Sequence, residues 1–148
     1  MKKSYVQTPV CIEIETVIDM GDSRDRDRST MTARGMMYRK EETMFFSYQE
    51  KLEIGNVTSL IKLVNDEVTI TRRGAVSMRQ VFIPGKRTDG MYRSPYGAIP
   101  MSTKTDEIHF DWNPDKANGI LRLCYELYMQ GKKTGHYFVT MKMEGASS

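Results

Sequence analysis

The chain has 148 residues, 39% hydrophobic and 28% charged, with a formal net charge of +3. That length is enough to bury roughly two-thirds of the surface an unfolded chain exposes, so a core forms without a disulfide or metal staple. The composition excludes disorder across the whole chain, and runs such as Leu60–Val64 fall far short of the roughly 20 apolar residues of a bilayer-spanning helix.

Met1–Pro9 carries two lysines but no continuous apolar segment of a secretory signal, so cytoplasm is the expected compartment and no membrane partner is expected. From Val10 to Ile18 the even positions are apolar or threonine while Glu13 and Glu15 face the other way, the period of two that marks a half-buried strand. Gly21–Ser29 alternates acids and arginines that cancel; a solvated, mobile loop over about residues 20–29 is expected. Phe46, Tyr48, Glu50, Leu52 and Ile54 form the next alternating face, and Leu60, Lys62 and Val64 are read as sharing another.

Val68-x-Ile70-x-Arg72, Val76-x-Met78-x-Gln80-x-Phe82 and Ile108-x-Phe110-x-Trp112 continue the pattern, followed by Leu121–Met129 and Tyr137–Met143. Asn65-Asp66, Arg73-Gly74, Asn118-Gly119 and Gly131–Gly135 separate these runs with residues suited to tight hairpins. The best helix candidate is a single turn near Asn113–Ala117. Pro84–Gly90 reads as a long polar connection, either a lid or a solvated hairpin loop. The pattern predicts an all-β chain, one domain over residues 1–148, built as a single antiparallel up-and-down β-barrel of about 8–10 strands. Hairpins between sequential strands favour a barrel over a sandwich, which usually needs Greek-key crossovers.

Thr71–Gly85, then Tyr92-Arg-Ser-Pro-Tyr-Gly97, with Tyr48-x-Glu50 and Gly119-x-x-x-Leu123-x-Tyr125-x-Leu127, resemble the YwiB-like family of bacterial proteins from about Val10 to Met143. The resemblance implies a β-barrel related to the calycin superfamily, which includes lipocalins and fatty-acid-binding proteins. It implies no catalytic residues.

Polar residues on faces that otherwise look buried are the main functional signal. An unpaired charge inside a barrel is too costly, so Arg72 must meet a carboxylate or a bound anion. One reading is a cavity where Arg72, with Lys62 and tyrosine hydroxyls, holds the head of a small anionic or amphipathic molecule. The plainer reading is an internal Arg72–Glu50 pair. The candidate ligand residues are Tyr48, Glu50, Lys62, Arg72, Tyr92, Tyr96 and Tyr125.

An alternative puts RNA or a protein on a basic outer face at Arg79, Lys86 and Arg87, since Arg72–Arg93 holds six basic residues against Asp89. Strand alternation sets Arg72 on the opposite face from Arg73 and Arg79, which weakens nucleic-acid binding. An exposed strand edge would permit a homodimer.

Metal and catalytic sites are not expected. Cys11 and Cys124 read as free thiols in the absence of an export signal, and His109 and His136 lack metal-binding spacing. Cys124 and His136 lie on runs joined through Gly131–Gly135 that become neighbours, but with a tight turn Cys124 is expected to oppose a residue near Thr140 or beyond, which displaces His136. No P-loop, Gly-x-Ser-x-Gly or dinucleotide fingerprint is present, so no enzyme activity or cofactor is expected. The twelve methionines read as packing material.

Overall fold

The computed structural model describes residues 5–21 and 26–146, with side chains from Gln7 onward. Its strands are β1 (Tyr5–Asp19), β2 (Arg26–Lys40), β3 (Thr43–Leu52), β4 (Gly55–Val64), β5 (Glu67–Gly74), β6 (Ser77–Phe82), β7 (Arg87–Ser94), β8 (Gly97–Asn113), β9 (Asn118–Met129) and β10 (Lys132–Gly145). Each pairs antiparallel with its sequence neighbour, and β10 pairs with β1 to close a ten-stranded up-and-down barrel. Closure runs from Val10 opposite Gly145 to Asp19 opposite His136. Among the described residues no helix is long and apolar enough to cross a membrane.

The inward faces fill the barrel as the alternation requires. Val10, Ile12, Phe46, Ile61, Phe82, Leu121 and Met143 are fully buried. Phe46 packs edge-to-face on Trp112 and Phe110, and Phe82 on Tyr125, which stacks in turn on Tyr137. Met37, Met44, Met141 and Met143 pack in the same core cluster as these rings.

Several expected elements differ. Residues 22–25 of the charged segment lie outside the described residues, whereas Arg26–Ser29 belong to β2 rather than to a loop. β2 and β7 gave no clear apolar period because most of their inward positions are small or polar, such as Ala33 and Gly35 in β2 and Thr88, Gly90 and Ser94 in β7. Pro84–Gly90 is therefore neither lid nor long loop: only residues 83–86 connect, and Arg87 opens β7.

Asn113 caps a non-helical turn by accepting from the backbone N–H groups of Asp115 and Lys116, and Asn118-Gly119 already lies in β9. The β9–β10 turn is the two residues Gln130-Gly131, both with positive φ (53° and 79°), the geometry of a tight hairpin.

Two seams are thin. β6 and β7 share only the registered pairs Ser77–Arg93 and Met78–Tyr92. The Thr88 hydroxyl supplements them by donating to the Val81 carbonyl, and Gly90 passes so near Arg79 that an added Cβ would sit 2.8 Å from its carbonyl oxygen. The β2–β3 ladder runs from Lys40–Thr43 only to Gly35–Tyr48, beyond which residues 26–34 pair with β1 alone.

Candidate functional site at the barrel mouth

Beyond Gly35 the inner wall opens into a cavity of about 390 Å³ lined by β1, β2, β3, β5, β6, β9 and β10. Inward-facing contributions from seven of the ten strands identify it as lumen rather than a surface dent. Exposed Ser29 and Thr30 of β2 form its rim, in the stretch of that strand that pairs with β1 alone. Tyr48, Glu50, Arg72 and Tyr125 all line it, together with Met78 and Gln80.

One rung of the sheet organises the polar wall. Register places Tyr48 opposite Ser59, Ser59 opposite Arg72, Arg72 opposite Met78 and Met78 opposite Tyr92, so these side chains point inward side by side. Two residues along β3, Glu50 shares that face, and Arg72 Nη2 donates to Glu50 Oε1 at 2.8 Å. Both side chains are 24% exposed, so the pair is partly desolvated yet reachable from the mouth. The guanidinium has five N–H donors and this bond uses one, so Arg72 keeps donor capacity toward the cavity.

Burial raises the Tyr48 phenol pKa, an effect the adjacent Ser59 hydroxyl opposes. The Ser59 hydroxyl is fully buried beside that phenol, and the Thr105 hydroxyl is buried with no hydrogen-bond partner. Burial, with Tyr137 adding to it, pushes the Tyr125 phenol well above its ordinary value, so it stays neutral. Deeper in the lumen, Gln80 Nε2 donates to Thr103 Oγ1 at 2.9 Å. Tyr48, Glu50 and Arg72 were legible because alternation carries through polar residues as well as apolar ones. Ser59 and Gln80 were not singled out, since a small or neutral residue in phase looks like filler.

Three expected ligand residues fall elsewhere. Lys62 is exposed on the outer face, because β4 turns Val57, Ser59, Ile61 and Leu63 inward and Leu60 outward, one residue out of step with the expected phase. Tyr96 is 85% exposed in the β7–β8 turn and is not part of this cavity's lining. Tyr92 points inward and is half-buried, but it is not among the residues lining this cavity.

On the outer face, Arg73, Arg79 and Arg93 border a shallow groove of about 400 Å³ whose opposing charge is Asp89. Lys86 sits in the β6–β7 turn, and the Arg87 guanidinium lies 4.4 Å from the centroid of the Tyr128 ring. Arg79, Lys86 and Arg87 thus do not share one groove.

The outer face of β8, β9 and β10 departs from expectation in a different way. A bulge at Asp106 lets both Asp106 and Glu107 point outward, and a second irregularity lies between Lys133 and Gly135. Cys124 opposes Phe138 rather than Thr140, and His136 is its diagonal neighbour. Cys124 Sγ lies 3.4 Å from His136 Nε2 and 3.8 Å from Asp106 Oδ2, and the same His136 nitrogen lies 2.8 Å from Asp106 Oδ2. The expectation that register displaces His136 from Cys124 is therefore overturned. Burial, then the carboxylates of Asp106, Glu107 and Glu126, push the Cys124 thiol up to about 11. Both cysteines are free.

A family model described as a domain of unknown function, DUF1934, matches residues 12–141. The chain belongs to the DUF1934 family. It is 26% identical over 141 residues to the uncharacterized beta-barrel protein YwiB of Bacillus subtilis strain 168, covering 95% of this chain and 96% of that protein. The crystal structure of the ywiB protein from Bacillus subtilis superposes with a TM-score of 0.83 at 27% identity, over 95% of this chain and 94% of that one. The fold thus matches the solved ywiB structure across nearly the whole length.

Proposed function

We propose that this DUF1934 protein binds, without catalysis, a small partly apolar molecule with an anionic or strongly polar head at the open mouth of the barrel. The observation that carries the reading is the Arg72–Glu50 pair, held partly desolvated on the inner wall of a cavity of about 390 Å³. A volume of that order suits one small ligand. Ile14, Ile70, Met78 and Met141 supply apolar lining, and Arg72, Tyr48 and Gln80 supply donors among them. In this reading the ligand head takes the spare donors of Arg72, and its body follows the lumen, as in calycin-like barrels. The expected setting is the cytoplasm.

Native mass spectrometry of gently purified protein, followed by denaturation to release small molecules, tests the proposal. A reproducible adduct that disappears in Arg72→Met and persists in Lys62→Glu supports it. An environment-sensitive naphthalene sulfonate dye, an aromatic body with one anionic head, provides a second readout. Failure of the dye to bind, together with a clean apo mass, sinks the reading.

A further inference from the structure

We propose that Asp106, Cys124 and His136 form a site for a divalent transition-metal ion of the zinc class on the outer face of β8–β10. The three residues come from three adjacent strands, and their donor atoms all lie within 4.8 Å of one another. Imidazole nitrogen, thiolate sulfur and carboxylate oxygen are the donor types zinc takes from proteins.

The spacing fits a tetrahedral ion. Bonds of about 2.3 Å to sulfur, 2.0–2.1 Å to nitrogen and 2.0–2.2 Å to oxygen put tetrahedral S···N and S···O pairs about 3.6 Å apart, and N···O about 3.4 Å. The observed separations are 3.4 Å for S···N, 3.8 Å for S···O and 2.8 Å for N···O. The sulfur distances agree to about 0.2 Å, and only the hydrogen-bonded N···O pair must open, by about 0.6 Å.

The competing chemistry for such residues is a nucleophilic cysteine relay, and the geometry argues against it. A relay needs one imidazole nitrogen toward the thiol and the other toward the carboxylate. Here both partners converge on Nε2, as they do around a shared ion.

Local structure holds the donors in place. The bulge turns Asp106 onto the same face as Glu107, which it would not share in a regular strand. The His136 ring stacks on Phe138 with centroids 4.8 Å apart, fixing its plane. His136 and Asp106 side chains are 34% and 38% exposed, so an ion reaches them without the barrel opening. Glu107 and Glu126 add negative charge nearby, against Lys133, which is held by Glu126 at 3.0 Å. Three protein donors leave a fourth tetrahedral position for water or another ligand, and Cys124 also borders a groove of about 500 Å³ that Phe138 and Arg122 line.

The test is a titration of tag-free, chelator-stripped protein with Co²⁺, which reports thiolate ligation through a near-ultraviolet sulfur-to-cobalt charge-transfer band. The proposal expects the band to saturate at one equivalent, to be displaced by Zn²⁺, to survive in Cys11→Ser and to vanish in Cys124→Ser. Since even partners outside the ligand set cost about 10–100-fold in metal affinity, His136→Ala is expected to weaken binding by more than about a hundredfold. Asp106→Asn keeps the size of the side chain and its hydrogen-bonding oxygen, so it tests the carboxylate should either other variant fail to fold. Absence of the band in the parent protein, or an undiminished titration in folded His136→Ala or Asp106→Asn, overturns the proposal.

Discussion

Replacing Arg72 by methionine strands the Glu50 carboxylate on the inner wall of the barrel. The pair meets at 2.8 Å with both side chains 24% exposed, between the exposed and fully buried cases. Exposed ion pairs contribute about 0.2–1 kcal/mol, and removing one partner of a fully buried pair costs about 3–5 kcal/mol. Hydrogen bonds to charged groups fall at about 1.5–3 kcal/mol, and the cost of Arg72→Met is expected there. For a chain of this length that lowers Tm by roughly 4–10 °C. The double variant Arg72→Met/Glu50→Leu removes both charges and is expected to recover most of the loss, because no carboxylate remains to be desolvated. Urea denaturation of the parent, the two single variants and the double variant gives the coupling energy directly. A coupling below about 0.5 kcal/mol would show that the pair behaves as a solvated surface contact, refuting the inner-wall argument.

Phe82 is fully buried and packs edge-to-face on Tyr125 with centroids 4.9 Å apart, so Phe82→Ala is expected to cost about 3–5 kcal/mol in urea denaturation; a loss under 1 kcal/mol would mean the lumen collapses freely around it. Gly35 ends the β2–β3 ladder where an added Cβ would lie 2.3 Å from the Ser47 carbonyl oxygen. Gly35→Ala is expected to destabilise by at least about 1 kcal/mol and to speed amide exchange at Met36 and Met37, and unchanged exchange there would count against the close approach. With the Cys124 thiol pushed up to about 11, its thiolate is scarce at neutral pH. In metal-free folded protein, iodoacetamide is expected to modify exposed Cys11 well before Cys124 at pH 7.5, with Cys124 accelerating about tenfold per pH unit up to about pH 11; equal rates at pH 7.5 would contradict the shift.

Most of the barrel was legible in the sequence because a strand with one buried face writes its period into the residue types. β1, β3, β5, β6, β9, β10 and the last stretch of β8 show that period plainly, and Tyr48, Glu50, Arg72 and Tyr125 inherit their inward placement from it. β2 and β7 escaped because small and polar inward residues leave no apolar contrast to read. In β4 the period was present but assigned to the wrong face, which turned Lys62 inward. Leu60 is 37% exposed, so an apolar residue on the outer face misled the phase.

The sequence by itself determined the all-β class and the sequential hairpins, since periodicity and turn chemistry are local properties; for Arg72 it offered Glu50 or a bound anion, and the structure pairs it with Glu50. Closure of β10 on β1, the gap beyond Gly35 that opens the lumen and the meeting of Asp106, Cys124 and His136 were decided only in three dimensions. Each depends on register across strands. Register is set by bulges and by a turn of two residues, and a shift of one residue changes which side chains meet without changing the composition of any strand.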